Sequence, residues 1–440
     1  MIRNKVRYVL AGCEGWGFSH AYVKYEKNNS VFIEKKGGAY LKIHLHDRTV
    51  LVTGTGATYK SLPSQFDFDT VVPLISPSVV SEPIVLINPY HASGGFTSNF
   101  QPFKKKVIVD SGGFQMLRGT SDYIDLDNLV DFYNVNGDIG MPLDLPLHKA
   151  AEPMFFDAVT KYMRANDKYM LSKLNPNVDL ALISHGSTAK LRLRRMKQLR
   201  RPTKTVAIAG LNVISDMDKN TKNLVGLSNA MAVMDYMRDT TDYFHFLGVT
   251  SNFWFVIYAI LAGTGYVKTI GGDSVTHRLA AVNGTYNVGL GAGSKMRSMD
   301  LLRDRTIPLG VMCRCPTCQV LTDGRLHLDA RFLESHTLFN VIETKNLIAD
   351  AVQSYLNGTT KLREIAEQWS TTGGYPALAR AVDYINLVIQ KGYREWTPTK
   401  QTSLFALHGG EKPFSSEGVK HFTGILRKYE KFHNEKFLPT

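Results

Sequence analysis

From residue 51 to residue 275, short runs rich in valine, isoleucine and leucine alternate with longer segments in which apolar residues recur at helical spacing. Short apolar runs bounded by glycine or polar residues read as strands buried on both faces. Their alternation with helices is the mark of βα units and a parallel sheet. The runs are LVTGT at 51, IVLINPY at 84, VIVDSG at 107, DIGMPLD at 138, DLALISHG at 179, TVAIAGL at 205, FHFLGVT at 244 and TIGGDSV at 269. Successive units of this kind predict an α/β fold, a (β/α)8 TIM barrel. A doubly wound open sheet is the alternative, because strand order is not written in the pattern.

The flanks read differently. Residues 1–50 form an N-terminal β extension, with SVFIEKKGGAYLKIHLHD alternating around a glycine turn. Residues 51–300 are the barrel, 301–358 a cysteine-bearing subdomain, and 359–440 a charged C-terminal helical extension. FWFVIYAILAGTGYV, Phe253 to Val267, is shorter than the roughly 20 residues that span a bilayer and reads as a buried helix. HTLFNVIETKNLIADAVQSYLNG, from His336, predicts a further helix ending at Gly358.

Composition adds a partner to this picture. Lysine and arginine exceed aspartate and glutamate to give a net charge of +13. The pI of about 9.4 points to a polyanion, nucleic acid first, with simple solubility as the bland alternative. A 44% hydrophobic content excludes disorder as the main state. The N-terminal MIRNKVRYVLAGCEGWG has no adequate hydrophobic region for a signal peptide, so no membrane association and a cytoplasmic location are expected. KLRLRRMKQLRRPTK, residues 190–204, carries eight basic residues in fifteen. Leu193, Met196 and Leu199 are expected to face the sheet there, with the charges toward phosphate or simply toward solvent.

Polar residues fall where the strands end, at Asp110, Asp144, His185 and Asp273. A carboxylate at a buried strand end suits proton transfer or nucleophilic attack, and two across a barrel mouth can run a displacement at a sugar carbon. Aspartate is equally a favoured helix N-cap, so each position carries both readings. Gly112 and Gly113 allow close approach of a planar ligand, on which Phe114 can stack; a tight turn with Phe114 in the core is the other reading. Cys313, Cys315 and Cys318 lie within six residues, a spacing that fits three thiolate ligands of a tetrahedral zinc site.

The motifs VIVDSGGFQ, GTGATYKSL, NPYH, DIGMPLD, ISHGS, AIAGL, HFLGV, GDSV and CRCPTC occur in an order that resembles the tRNA-guanine transglycosylase family over about residues 50–350. The resemblance implies that Asp273 is the nucleophile at the anomeric carbon, and that Asp110 is the general acid/base. Asp144 and Ser111 would hold the guanine edge, with His185 standing where the family has a glutamine. Gly210 and Leu211 would present backbone groups to the base, and Phe114 and Leu247 would sandwich its faces. It further implies a structural zinc on Cys313, Cys315, Cys318 and His336, with His327 as rival fourth ligand, and a 7-deazaguanine base as second substrate. Homodimers are common among such proteins.

The sequence departs from the bacterial tRNA-modifying pattern in the glutamine pair that reads the base and in neighbouring loops, while the three aspartates are kept. Ser184-His185 replaces a glutamine pair, Leu145-Pro146 follows Asp144, and THRLAAVNG follows the nucleophile motif. These departures resemble the DpdA-type DNA-guanine transglycosylases of bacteria and phages. DNA is therefore the expected partner, with tRNA as the alternative, and a non-catalytic nucleic-acid-binding paralogue as a third reading.

Overall fold

The computed structural model describes residues 1–11, 23–25, 31–33, 40–45, 48–53, 84–87, 89, 106–113, 124–145, 152–211, 218–275, 285–287, 296–298, 330–369, 374–396 and 416–437. The strands are β1 (Val6–Ala11), β2 (Val23–Tyr25), β3 (Val31–Ile33), β4 (Tyr40–Leu45), β5 (Arg48–Thr53), β6 (Ile84–Ile87), β7 (Lys106–Val109), β8 (Ile139–Gly140), β9 (Asp179–Leu180), β10 (Leu182–Ser184), β11 (Thr205–Ile208), β12 (Tyr243–Phe246), β13 (Thr269–Ser274), β14 (Thr285–Asn287) and β15 (Met296–Ser298). The helices are α1 (Leu126–Asn136), α2 (Glu152–Lys173), α3 (Ala189–Leu199), α4 (Lys219–Met237), α5 (Asn252–Gly263), α6 (Ala330–Leu356), α7 (Leu362–Trp369), α8 (Gly374–Lys391) and α9 (Ser416–Phe437).

The protein is α/β, and its main sheet runs β10-β11-β12-β13-β1-β6-β7-β8-β9. Every recorded pairing in it is parallel. The two ends of that order, β9 and β10, belong to one stretch of chain interrupted only at Ala181. Arg201 fills the interruption by donating to the carbonyls of Leu180 at 2.7 Å and Ala181 at 2.6 Å.

Seven of the eight apolar runs supply strands of the main sheet, the run at 179 as the interrupted pair β9 and β10, and the eighth run corrects the expectation. LVTGT does not enter the main sheet: β5 pairs antiparallel with β4 in a separate two-stranded sheet. Its expected place is taken by β1, which pairs with β13 through Val6 and Ile270 and with β6 through Leu10 and Val85. The main sheet therefore begins inside the expected N-terminal extension. Antiparallel pairing is present in that extension, but β3 pairs with β2 rather than with β4 across the glycine pair.

Helix starts are set by local chemistry. Asp125, Thr188, Asp218 and Ser251 each accept a backbone N–H of the first turn of α1, α3, α4 and α5. Such caps are worth roughly 1 kcal/mol apiece. Helix α5 is buried on all sides, Phe253 through Ala262, as its apolar run predicts. Phe246 of β12 packs on Tyr258 with ring centroids 4.7 Å apart. Gly263 lets α6 and the N-terminus close on it, since a Cβ there would lie 2.4 Å from Leu356 Cδ1 and 2.6 Å from Ile2 Cδ1.

The long C-terminal helices are tied to this body. Tyr429 of α9 exchanges hydrogen bonds with the backbone of Ile124, accepting at 3.2 Å and donating at 3.1 Å. Tyr384 of α8 donates to Ser228 of α4 at 3.2 Å. Lys345 of α6 is buried, has no carboxylate partner among the described residues, and donates to Thr250 O at 2.8 Å and Asn252 Oδ1 at 2.7 Å. Burial alone pushes its ammonium down to about 7. Among the described residues, no helix is long and apolar enough to cross a membrane.

Candidate active site

In a parallel sheet all strands end at one edge, so residues that follow them gather there. Asp110 and Ser111 follow β7, Asp144 follows β8, His185 follows β10, and Gly210 and Leu211 lie just beyond β11. Leu247 and Gly248 follow β12, and Asp273 is the penultimate residue of β13.

Three of these side chains form one hydrogen-bonded group. Ser111 Oγ donates to Asp144 Oδ1 at 2.8 Å, and His185 Nε2 lies 2.5 Å from Asp144 Oδ2. All three residues are buried. Ser111 Oγ also accepts from Gly113 N at 3.3 Å, which folds the turn after β7 over Asp144. The backbone there tolerates no side chain: a Cβ on Gly113 would stand 2.3 Å from Asp144 O and 2.6 Å from its Oδ1, and Gly112 has φ +79°. Gly140, before Asp144, is bare for a similar reason, since its Cβ would enter the Tyr133 ring at 2.3 Å. Tyr133 is buried beneath the turn and donates to Met141 O at 2.6 Å. Burial, then the charges of Asp110 and Asp144, hold its hydroxyl protonated far above the ordinary range.

Among the described residues, Asp144 is partnered by the side chains of Ser111 and His185. An ionised carboxylate offers about four acceptor positions, of which the described residues use two. His185 Nδ1 faces Gly210, at 3.8 Å from where a Cβ would sit. A planar ligand entering there meets carboxylate, imidazole and bare backbone together. Asp110 Oδ1 accepts from Ser111 N at 2.9 Å.

Asp273 is organised separately. Its Oδ1 receives Gly248 N–H at 2.9 Å and lies 3.1 Å from His245 Nε2; the other ring nitrogen of His245 is 2.9 Å from Tyr243 Oη. These donors lie upstream on β12 and its turn, so the partners of Asp273 among the described residues come from a neighbouring strand end. The glycines before it permit the approach: a Cβ on Gly272 would stand 2.4 Å from Val249 O, and one on Gly271 2.4 Å from Arg7 O. No hydrogen bond joins Asp273 to Ser111, Asp144 or His185 among the described residues.

Sequence reasoning missed His245, which fits a strand run without comment. It also turned every charge of residues 190–204 outward. Lys190, Arg194, Lys197 and Arg200 are exposed, but Arg192 and Arg195 are fully buried while Leu193 is only half-buried. Arg192 donates to Ser184 O at 3.0 Å and Ala209 O at 2.8 Å, tying the ends of β10 and β11 beneath His185 and Gly210. Desolvation pushes its guanidinium down to about 10 despite nearby Glu152. A cleft of about 740 Å³, lined by Asp179, Arg200, Arg201 and Lys204 among others, opens at the opposite edge of the sheet.

Phe114, Cys313, Cys315, Cys318 and His327 lie outside the described residues. His336 falls within α6 rather than opening it, because the helix begins at Ala330. Among the described residues, no group of three or more His, Cys, Asp or Glu side chains is placed to hold a metal. No protein-family model matches the chain, and no curated protein matches it.

Proposed function

We propose that this protein is a base-exchange transglycosylase that replaces guanine in DNA with a 7-deazaguanine, working at the mouth of a (β/α)8 barrel. The barrel reading is supported by the parallel order whose two ends meet at Ala181. The observation that carries the reaction is the pair of strand-end carboxylates, Asp144 and Asp273, each held by side chains of the site.

In this mechanism a carboxylate oxygen of Asp273 bonds to the anomeric carbon as the bond to the guanine nitrogen breaks. The electron pair leaves with the base, which takes a proton from Asp110. The incoming 7-deazaguanine then gives its ring proton to Asp110, its nitrogen bonds to the anomeric carbon, and Asp273 is released. Two displacements restore the configuration. Asp144 accepts from the ring N–H and exocyclic amine of either base, with Ser111 and His185 fixing its plane. The target nucleotide must leave its stack to reach this edge. Three thiolates and an imidazole suit a tetrahedral structural zinc, with Cys313, Cys315, Cys318 and His336 as its ligands.

DNA is preferred to tRNA because Ser184-His185, Leu145-Pro146 and residues 276–284 depart from the bacterial tRNA-modifying pattern while Asp110, Asp144 and Asp273 are kept. The test is mass spectrometry of nucleosides from DNA and tRNA of cells making the protein with a deazaguanine supply. Modified deoxynucleoside that vanishes with Asp273→Asn is the expected result. Modified tRNA with unmodified DNA would overturn the choice of nucleic acid, and no modification of either would overturn base exchange.

A further inference from the structure

We propose that Tyr243 and His245 form a positioning relay that fixes Asp273 with Oδ1 as the held oxygen and Oδ2 as the attacking one. The proposal rests on the base-exchange reading for the word attacking, and on geometry alone for the rest.

Tyr243 and His245 are two apart on β12 and so share one face of the strand. The face is sealed, since His245 is 0% and Tyr243 6% exposed. Tyr243 Oη and His245 Nδ1 are 2.9 Å apart, and one of them must donate. Burial first, then the Asp273 charge, raise the tyrosine far above its ordinary range, although Arg7 opposes this. The hydroxyl therefore keeps its proton, and the direction follows from the other end of the ring: Nε2 faces a carboxylate oxygen, which accepts, so the ring hydrogen belongs on Nε2 and the hydroxyl donates to Nδ1.

A neutral imidazole that accepts at Nδ1 carries its hydrogen on Nε2. Nε2–H points at Asp273 Oδ1, 3.1 Å away, where Gly248 N–H arrives at 2.9 Å. Two donors on Oδ1 fix the carboxylate plane. Oδ2 carries no hydrogen bond to any described residue, which leaves its lone pairs for a reacting carbon. Without the tyrosine hydroxyl, either tautomer of His245 is open, and one of them turns a bare nitrogen lone pair toward the carboxylate.

The decisive measurement is ¹⁵N NMR of histidine-labelled protein, with the His245 signal identified by its loss in His245→Gln. The expected wild-type spectrum shows the Nε2–H tautomer at neutral pH, and Tyr243→Phe shows a mixture. An Nδ1–H tautomer in the wild type, or a spectrum indifferent to Tyr243→Phe, would overturn the relay whatever reaction the protein runs. In kinetics, His245→Leu is expected to lower kcat by about a hundredfold with KM little changed, as misplacement of a reacting group does. His245→Gln, which keeps a donor, should restore most of the rate. Unchanged kcat in folded His245→Leu would also overturn the relay. An inactive wild type with the Nε2–H tautomer would reject base exchange alone.

Discussion

His185 and Asp144 meet through a hydrogen bond of 2.5 Å between residues 41 apart in the chain. The bond joins the end of β10 to the loop after β8, so one imidazole fixes a carboxylate that Ser111 holds from the other side. Asparagine at 144 would keep one acceptor but present an N–H₂ to a ring N–H or to the serine hydroxyl. Asp144→Asn should therefore weaken binding of the free 7-deazaguanine base by about 1.5–3 kcal/mol, the range for hydrogen bonds to a charged group. Calorimetric titration measures this, and an unchanged affinity would remove Asp144 from the base-binding group.

The turn over Asp144 has no room for a methyl group. Gly113→Ala places a Cβ 2.3 Å from a backbone oxygen, which cannot swing aside as a flexible side chain does. A loss of about 1–3 kcal/mol of stability is expected, by analogy with overpacking. Activity should fall further than stability because Asp144 itself must shift. Urea unfolding beside base-exchange rates checks both, and a variant as stable and active as the wild type would contradict the described turn.

Lys345 makes stability depend on pH. Its folded value is about 7, against an ordinary 10.5, so between these two values the unfolded chain binds more protons than the folded one. Stability contributed by this residue therefore rises as pH increases through that window and is flat below it. A neutral amine still has two hydrogens for Thr250 O and Asn252 Oδ1, so the contacts survive deprotonation. Melting temperatures from pH 7 to 10 should climb for the wild type relative to Lys345→Met, and parallel curves would refute the assignment.

The proposed zinc is testable without any activity. The purified protein should hold one zinc per chain by elemental analysis, and Cys315→Ser should lose it. Removal should lower the melting temperature and leave the His245 tautomer unchanged, as a purely structural metal requires. Protein free of zinc that melts like the wild type would end the proposal.

Much of the sheet was legible because central parallel strands need apolar residues on both faces, which gives runs such as VIV and TVAI. The misplaced strand shows the limit of that rule. VRYVLA carries Arg7, which lies 5.6 Å from the centre of the Tyr243 ring, and reads as less buried than LVTGT. Only pairing decides between them, and pairing is a long-range fact. Asp110, Asp144, His185 and Asp273 were visible as polar breaks at strand ends. His245 was not, because its partner Asp273 lies on the neighbouring strand and their meeting depends on register. Arg192 was misread because an arginine on a helix is usually solvated; this one replaces water as the partner of two strand-end carbonyls.

The seat of β1 has a consequence for how the molecule comes into being. Tyr8 lies beside Gly272 and Val9 beside Asp273, so the strand bearing the proposed nucleophile finds one of its neighbours in the strand of the main sheet most distant from it along the sequence. Such a pairing must close a very long loop before it returns any contact energy, and contacts of that kind slow folding. During synthesis β1 emerges early and waits, with a bare edge, for β13 to appear. The proposed nucleophile is thus seated only after most of the sheet has been made.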